Sequence, residues 1–167
     1  PVLLVHGLFS SAQMNWIKFG HAAALAAAGF RVIMPDLRGH GASAAPHDPA
    51  AWPQGVLVRD VLALVQALGL DDFDLLGFSL GARTALGAVV AGQGYGLRPR
   101  RLVLAGMGLE SLDNWHRRAE FFIDALDRFD TVQPGDPAHF TVAFLKTMKI
   151  DRVAARLLLL SGGEIAR

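Results

Sequence analysis

A chain of 167 residues is long enough for one domain with a core of its own. Its content of 52% hydrophobic and 19% charged residues excludes an intrinsically disordered chain, and 16 basic against 15 acidic residues exclude the basic excess of a nucleic-acid binder. The absence of cysteine excludes disulfides and thiolate metal sites and fits a reducing compartment, so the cytoplasm is the expected location.

The predicted elements run as follows. Residues 2–5 are an apolar run that stops at His6-Gly7, the pattern of a short buried strand. Residues 16–28 are alanine-rich and closed by Gly29, which predicts a helix. A second strand is expected over 30–34, ended by Pro35-Asp36, and then a glycine- and proline-rich loop over 37–53. Apolar residues at Val58, Val61, Leu62, Val65 and Leu68 give residues 56–68 a helical period. Residues 73–76 read as a third strand, 80–91 as a helix and 101–105 as a fourth strand. Short unbroken apolar strands alternating with helices predict an α/β class, with a parallel sheet covered on both faces.

After Gly108 the texture changes. Residues 112–129, 138–148 and 152–160 all read as helix, although 157–160 alone also fits a strand. The expected division is an α/β core over 1–108 and a helical cap or lid over 109–167. No apolar run reaches the roughly 18 residues of a membrane span, so no membrane partner is expected. The basic cluster at 98–101 is broken by Pro99 and reads as a solvated turn, and the glycines of 92–96 follow a helix, a poor match to a dinucleotide fingerprint. No His/Asp/Glu pair has metal-ligand spacing, and neither a metal nor any other cofactor is expected. The chain starts at Pro1 inside an apolar run, without a methionine, which points to a natural start further upstream.

Three strand ends carry the chemistry. Gly77-Phe78-Ser79-Leu80-Gly81 lies between a predicted strand and a predicted helix. A serine there is either a helix N-cap or a nucleophile on a turn so tight that Gly77 and Gly81 must be small. In the second reading the helix N-terminus favours a developing oxyanion, and the Leu80 N–H is one donor to it. His6-Gly7-Leu8-Phe9 follows the first strand, and the N–H of Leu8 or Phe9 can be the second donor. Asp36-Leu37-Arg38-Gly39-His40-Gly41-Ala42-Ser43 follows the second strand.

These three motifs, in this order across residues 2–105, resemble the α/β-hydrolase fold superfamily. The resemblance implies a partial sheet equivalent to that family's third to sixth strands, Ser79 as nucleophile, and structural roles for His6, Gly7, Asp36, Arg38, Gly39, His40 and Gly41. It also implies an acid and a histidine base after two further strands that lie beyond Arg167, so the chain is expected to be a fragment that is inactive by itself. Glu110, after the fourth strand, is the alternative acid, while Met107, Leu109, Trp115, Phe121 and Phe122 either line an acyl pocket or pack between helices. A serine at the elbow, where epoxide hydrolases and dehalogenases of the fold use aspartate, implies a serine hydrolase for a small apolar ester, thioester or lactone. Three alternatives fit the same residues: a degenerate, non-catalytic fold binding a small ligand or partner, a cofactor-free haloperoxidase or perhydrolase, and a C–C bond hydrolase.

Overall fold

The computed structural model describes residues 1–92, 98–109 and 114–162. Residues 93–96 of the glycine-rich stretch, and Glu110, lie outside the described residues.

Among the described residues, four strands form one sheet: β1 (Val2–Val5), β2 (Val32–Ile33), β3 (Asp74–Phe78) and β4 (Arg101–Ala105). They lie in the order β2-β1-β3-β4, and every neighbouring pair is parallel. After β2 the chain crosses back over β1 and continues on its far side as β3. The carboxyl ends of β1 and β3 therefore flank the point where strand order reverses, the crevice in which open parallel sheets bind ligands. Val5 pairs with Gly77, which sets the two loops that follow these strands side by side.

The hydrophobic pattern explains why β1 is a continuous apolar run. Val2 and Leu4 belong to a cluster with Ala12 and Trp16 on one face, while Leu3 and Val5 join the main core on the other. A strand buried on both faces has no position where a polar side chain would reach water. The first face is covered by α1 (His21–Ala27), whose Ala22 and Leu25 pack on that cluster, and the second by α2 (Val56–Ala67) and α3 (Leu80–Gly92). Among the described residues, three more helices follow β4: α4 (Trp115–Asp127), α5 (His139–Thr147) and α6 (Arg152–Ser161). They share the main core, where Trp115, Leu145 and Leu158 are buried in one cluster with Phe9, Leu37 and Trp52. The 157–160 run is helical, as part of α6.

Two expected elements differ. The helix expected over 16–28 is split into a π-type turn at Gln13–Ile17 and α1, because Gly20 adopts φ +80° and breaks the helical path. The strand expected over 30–34 pairs only at Val32–Ile33, at the sheet edge, where both residues are half-buried. Among the described residues, no helix is long and apolar enough to cross a membrane, and no cluster of three His, Cys, Asp or Glu could hold a metal ion.

Candidate active site

Ser79 stands between the last residue of β3 and the first of α3, with φ +53°. A non-glycine residue in the left-handed region costs about 1–3 kcal/mol and persists only where its surroundings hold it. They do so here: the Ser79 N–H donates to the Ala105 carbonyl of β4 (2.8 Å), and the Ser79 carbonyl accepts from the Arg83 N–H (3.1 Å). The two flanking glycines have different reasons. A Cβ on Gly77 would meet the Gly81 backbone and lie 2.6 Å from Ala82 Cα, the crowding expected from the turn itself. A Cβ on Gly81 would instead run into the carbonyls of Val5 and His6. Gly81 is therefore set by the approach of α3 to the end of β1, which the pentapeptide does not reveal.

The loop after β1 supplies the second side of the site. Its Gly7 N–H donates to Asn15 Oδ1 (2.8 Å), its Phe9 N–H to His40 Nε2 (2.9 Å) and its Ser10 N–H to the Gly7 carbonyl (3.2 Å). Phe9 is thereby removed as an oxyanion donor, because its hydrogen is already committed. The Leu8 N–H has no acceptor among the described residues, and Leu8 lines the cavity over Ser79 together with Leu80. The Leu80 N–H is the first of α3 and, like the other N–H groups of a first turn, has no acceptor within its helix.

His6 and His40 hold this loop. His6 Nε2 accepts from the Leu37 N–H (2.9 Å), so its proton sits on Nδ1 and is donated to the Gly7 carbonyl (2.8 Å). His40 has the same arrangement: Nε2 accepts from Phe9, and Nδ1 donates to the Arg38 carbonyl (3.0 Å). Burial pushes both imidazoles down, His40 to about 4, which keeps the rings neutral near pH 7. With both nitrogens occupied, neither histidine can take a proton from Ser79. Asp36 links the same loops, accepting from the Ala12 N–H (2.8 Å) and the Ala42 N–H (2.9 Å). A Cβ at Gly41 would overlap that carboxylate. Arg38 points away, to a two-pronged pair with Asp60 (2.9 and 2.7 Å) and to the Ala51 carbonyl (2.9 Å). Gly39 has φ +78° and faces the Trp52 ring.

Helix α4 covers the serine. The cavity above Ser79, of about 40 Å³, is lined by Leu8, Leu80, Arg83, Gly106, Met107, Trp115, Arg118 and Phe122. Phe122 meets Phe9 edge to face, with centroids 5.5 Å apart. Of the candidate pocket residues, Met107, Trp115 and Phe122 are at this cavity, whereas Leu109 is 85% exposed and Phe121 is turned toward solvent. No histidine or carboxylate is among the described lining residues. His21 packs on Trp16, and His47 Nε2 pairs with Asp151 Oδ2 (2.7 Å), a tie from the loop after β2 to the N-cap of α6.

Sequence reasoning missed Arg83, Arg118 and Asn15. Arg83 was within reach, since a residue four after the elbow serine lies one helical turn along the same face. Asn15 and Arg118 meet the site only through tertiary packing.

Known proteins share the fold of this chain. A family model described as alpha/beta hydrolase fold matches residues 1–93. The chain is 35% identical over 85 residues to Epoxide hydrolase 2 of Siraitia grosvenorii, covering 50% of this chain and 26% of that protein. It is 32% identical over 130 residues to Proline iminopeptidase of Levilactobacillus brevis, covering 78% of this chain and 42% of that protein. The structure superposes on an esterase from Exiguobacterium antarcticum with a TM-score of 0.70 at 20% identity, covering 96% of this chain and 65% of that one. The aligned stretches thus span 26% and 42% of these two curated relatives, under two thirds of either. It belongs to the alpha/beta hydrolase fold family.

Proposed function

We propose that this chain is the nucleophile-bearing part of a serine hydrolase that cleaves a small apolar carboxylic ester, thioester or lactone. Ser79 Oγ attacks the substrate carbonyl, and the N–H groups of Leu80 and Leu8 hold the oxyanion. The acyl group passes to Ser79 Oγ, the alcohol or thiol leaves with a proton, and water then releases the acid. The reaction also needs a general base and an acid to orient it, and no histidine or carboxylate among the described lining residues of the cavity supplies either. The observation that carries the reading is the position of Ser79: φ +53° at the carboxyl end of β3, beside the loop of Leu8 at the switch point of the sheet.

The epoxide hydrolase name of one relative does not transfer. A carboxylate that opens an epoxide forms an ester, which water cleaves; a serine oxygen would form an ether, which water does not cleave, and turnover would stop. The test is labelling of the full-length protein with a fluorophosphonate. Phosphonylation of Ser79, with ester turnover lost by at least 10³-fold in Ser79→Ala, is the expected result. Absence of the label from Ser79 in a protein that hydrolyses esters would overturn it.

A further inference from the structure

Two cavities meet at the elbow helix. The one above Ser79 is small, about 40 Å³. The other lies among α2, α3 and the end of α6 and holds about 470 Å³. Leu80, Arg83 and Trp115 line both. The larger cavity is faced by Val56, Val58, Leu62, Val90 and Leu158, and the reaction proposed above does not use it. Its hydroxyls are committed: Thr84 Oγ1 donates to the Leu80 carbonyl and Ser161 Oγ to the Leu158 carbonyl, both at 2.9 Å. What it offers a guest is therefore mainly hydrocarbon.

We propose that Trp115, stacked on Arg83, is the partition that limits the acyl group to acetyl or propionyl size, and that the larger cavity is the space this ring denies to a longer chain. The proposal rests on the acyl-transfer reading above and narrows its substrate class to short-chain esters and thioesters.

Volume sets the limit. A water molecule needs about 10–15 Å³ of such space, so the cavity of about 40 Å³ holds roughly three heavy atoms. That is an acetyl or propionyl chain, and an octanoyl chain fits only by passing the wall that the two cavities share. Leu80 is fixed in that wall by the elbow itself. Arg83 and Trp115 come from different helices, α3 and the covering α4, and the guanidinium lies over the ring, 5.2 Å from its centroid. Both are buried, at 8% and 9% exposure. The indole is held from a second side by Gly162, where an added Cβ would lie 2.5 Å from Trp115 Cε2. A ring packed on two sides in a close-packed interior keeps one rotamer. Truncating it joins the two spaces, and each methylene of a chain that then enters the apolar one adds to binding.

The test uses the full-length protein and the 4-nitrophenyl esters of propionic and octanoic acid. In the wild type kcat/KM should be at least tenfold higher for the propionate. In Trp115→Ala the octanoate should gain at least tenfold on the propionate. Adding Val90→Trp, which refills the larger cavity at a residue that does not line the smaller one, should remove the gain. Trp115→Leu, which keeps a large apolar side chain in the core, should shift the ratio the same way where the alanine variant fails to fold. A wild type that uses octanoate as well as propionate, or a folded Trp115 variant with the wild-type ratio, overturns the partition. A second arm does not depend on turnover: calorimetric titration of sodium octanoate into Ser79→Ala, with and without Trp115→Ala. At least tenfold tighter binding when the ring is truncated, reversed by Val90→Trp, supports the partition even if neither ester is hydrolysed and the acyl-transfer reading falls. The same affinity with and without the ring, in a protein that hydrolyses the propionate through Ser79, removes the partition and leaves the hydrolase.

Discussion

The rings of His6 and His40 stand 5.1 Å apart, edge to face, and each accepts a hydrogen bond from the loop that carries the other. His6 lies on the loop after β1 and takes the Leu37 N–H; His40 lies on the loop after β2 and takes the Phe9 N–H. The exchange fixes two loops against each other with neutral rings. Each ring must remain unprotonated to keep an acceptor nitrogen.

That requirement gives a pH dependence. Burial, with the charge of His6 second, pushes His40 from 6.5 to about 4, and burial lowers His6 as well. Between the two values the unfolded chain binds more protons than the folded one, so stability rises with pH across this window. The stabilisation is complete above about pH 6.5 and declines as pH falls toward 4, by about 3 kcal/mol for His40 alone. Urea unfolding of the full-length protein at pH 7 and pH 4.5 should show this decline. His40→Gln should start less stable and lose less. A wild-type stability that is flat over the window contradicts the account.

The approach of α3 to β1 gives a second expectation. A Cβ added at Gly81 would lie 2.6 Å from the His6 carbonyl oxygen and closer still to that of Val5. Both obstacles are backbone in the middle of the fold, which has no rotamer to escape into. Gly81→Ala should cost more than about 3 kcal/mol or prevent folding. Gly87→Ala is the comparison: its Cβ would meet only a Val58 methyl at 2.8 Å, and alanine is worth about 1 kcal/mol over glycine within a helix. Thermal unfolding should therefore rank Gly81→Ala as severe and Gly87→Ala as the milder of the two, because only a side-chain methyl has to move at Gly87.

The contrast between these glycines shows what a single sequence reveals. The apolar runs of β1, β3 and β4 and the period of α2 follow from local patterning, because a buried strand or an amphipathic helix is specified within its own residues. The reading of Gly77 is local for the same reason, as its neighbour is four residues away. Gly81 and the choice between Leu8 and Phe9 depend on partners brought in by the fold: the end of β1 in one case, His40 in the other. Asn15 and Arg118 belong with these. The split of the expected first helix came from Gly20, a residue that helices tolerate and that only the tertiary turn made into a break.

Asp36 bridges the same loops by charge. Its two carboxylate oxygens accept from Ala12 and Ala42 backbone N–H groups. Asn in its place has one acceptor oxygen and would set an NH2 group against an N–H donor. Asp36→Asn should therefore lose about 1–3 kcal/mol of stability, read from urea midpoints at pH 7. A variant as stable as the wild type would show that the bridge is not made in solution.

Asn15 tests the oxyanion role proposed for the loop after β1. Its Oδ1 accepts the Gly7 N–H at 2.8 Å, one residue before the Leu8 N–H. It touches no substrate and acts by positioning. In Asn15→Ala the loop loses that anchor, stability falls by about 1 kcal/mol, and kcat falls about tenfold with little change in KM, because the oxyanion forms only in the transition state. Asn15→Asp keeps the acceptor and should restore stability. It also places a negative charge beside the developing oxyanion, so kcat should stay low. Recovery of both stability and kcat in Asn15→Asp would mean that Leu8 does not face the oxyanion. A merely structural anchor would restore both together, and the separation of the two readouts is what distinguishes a positioning role from a packing one.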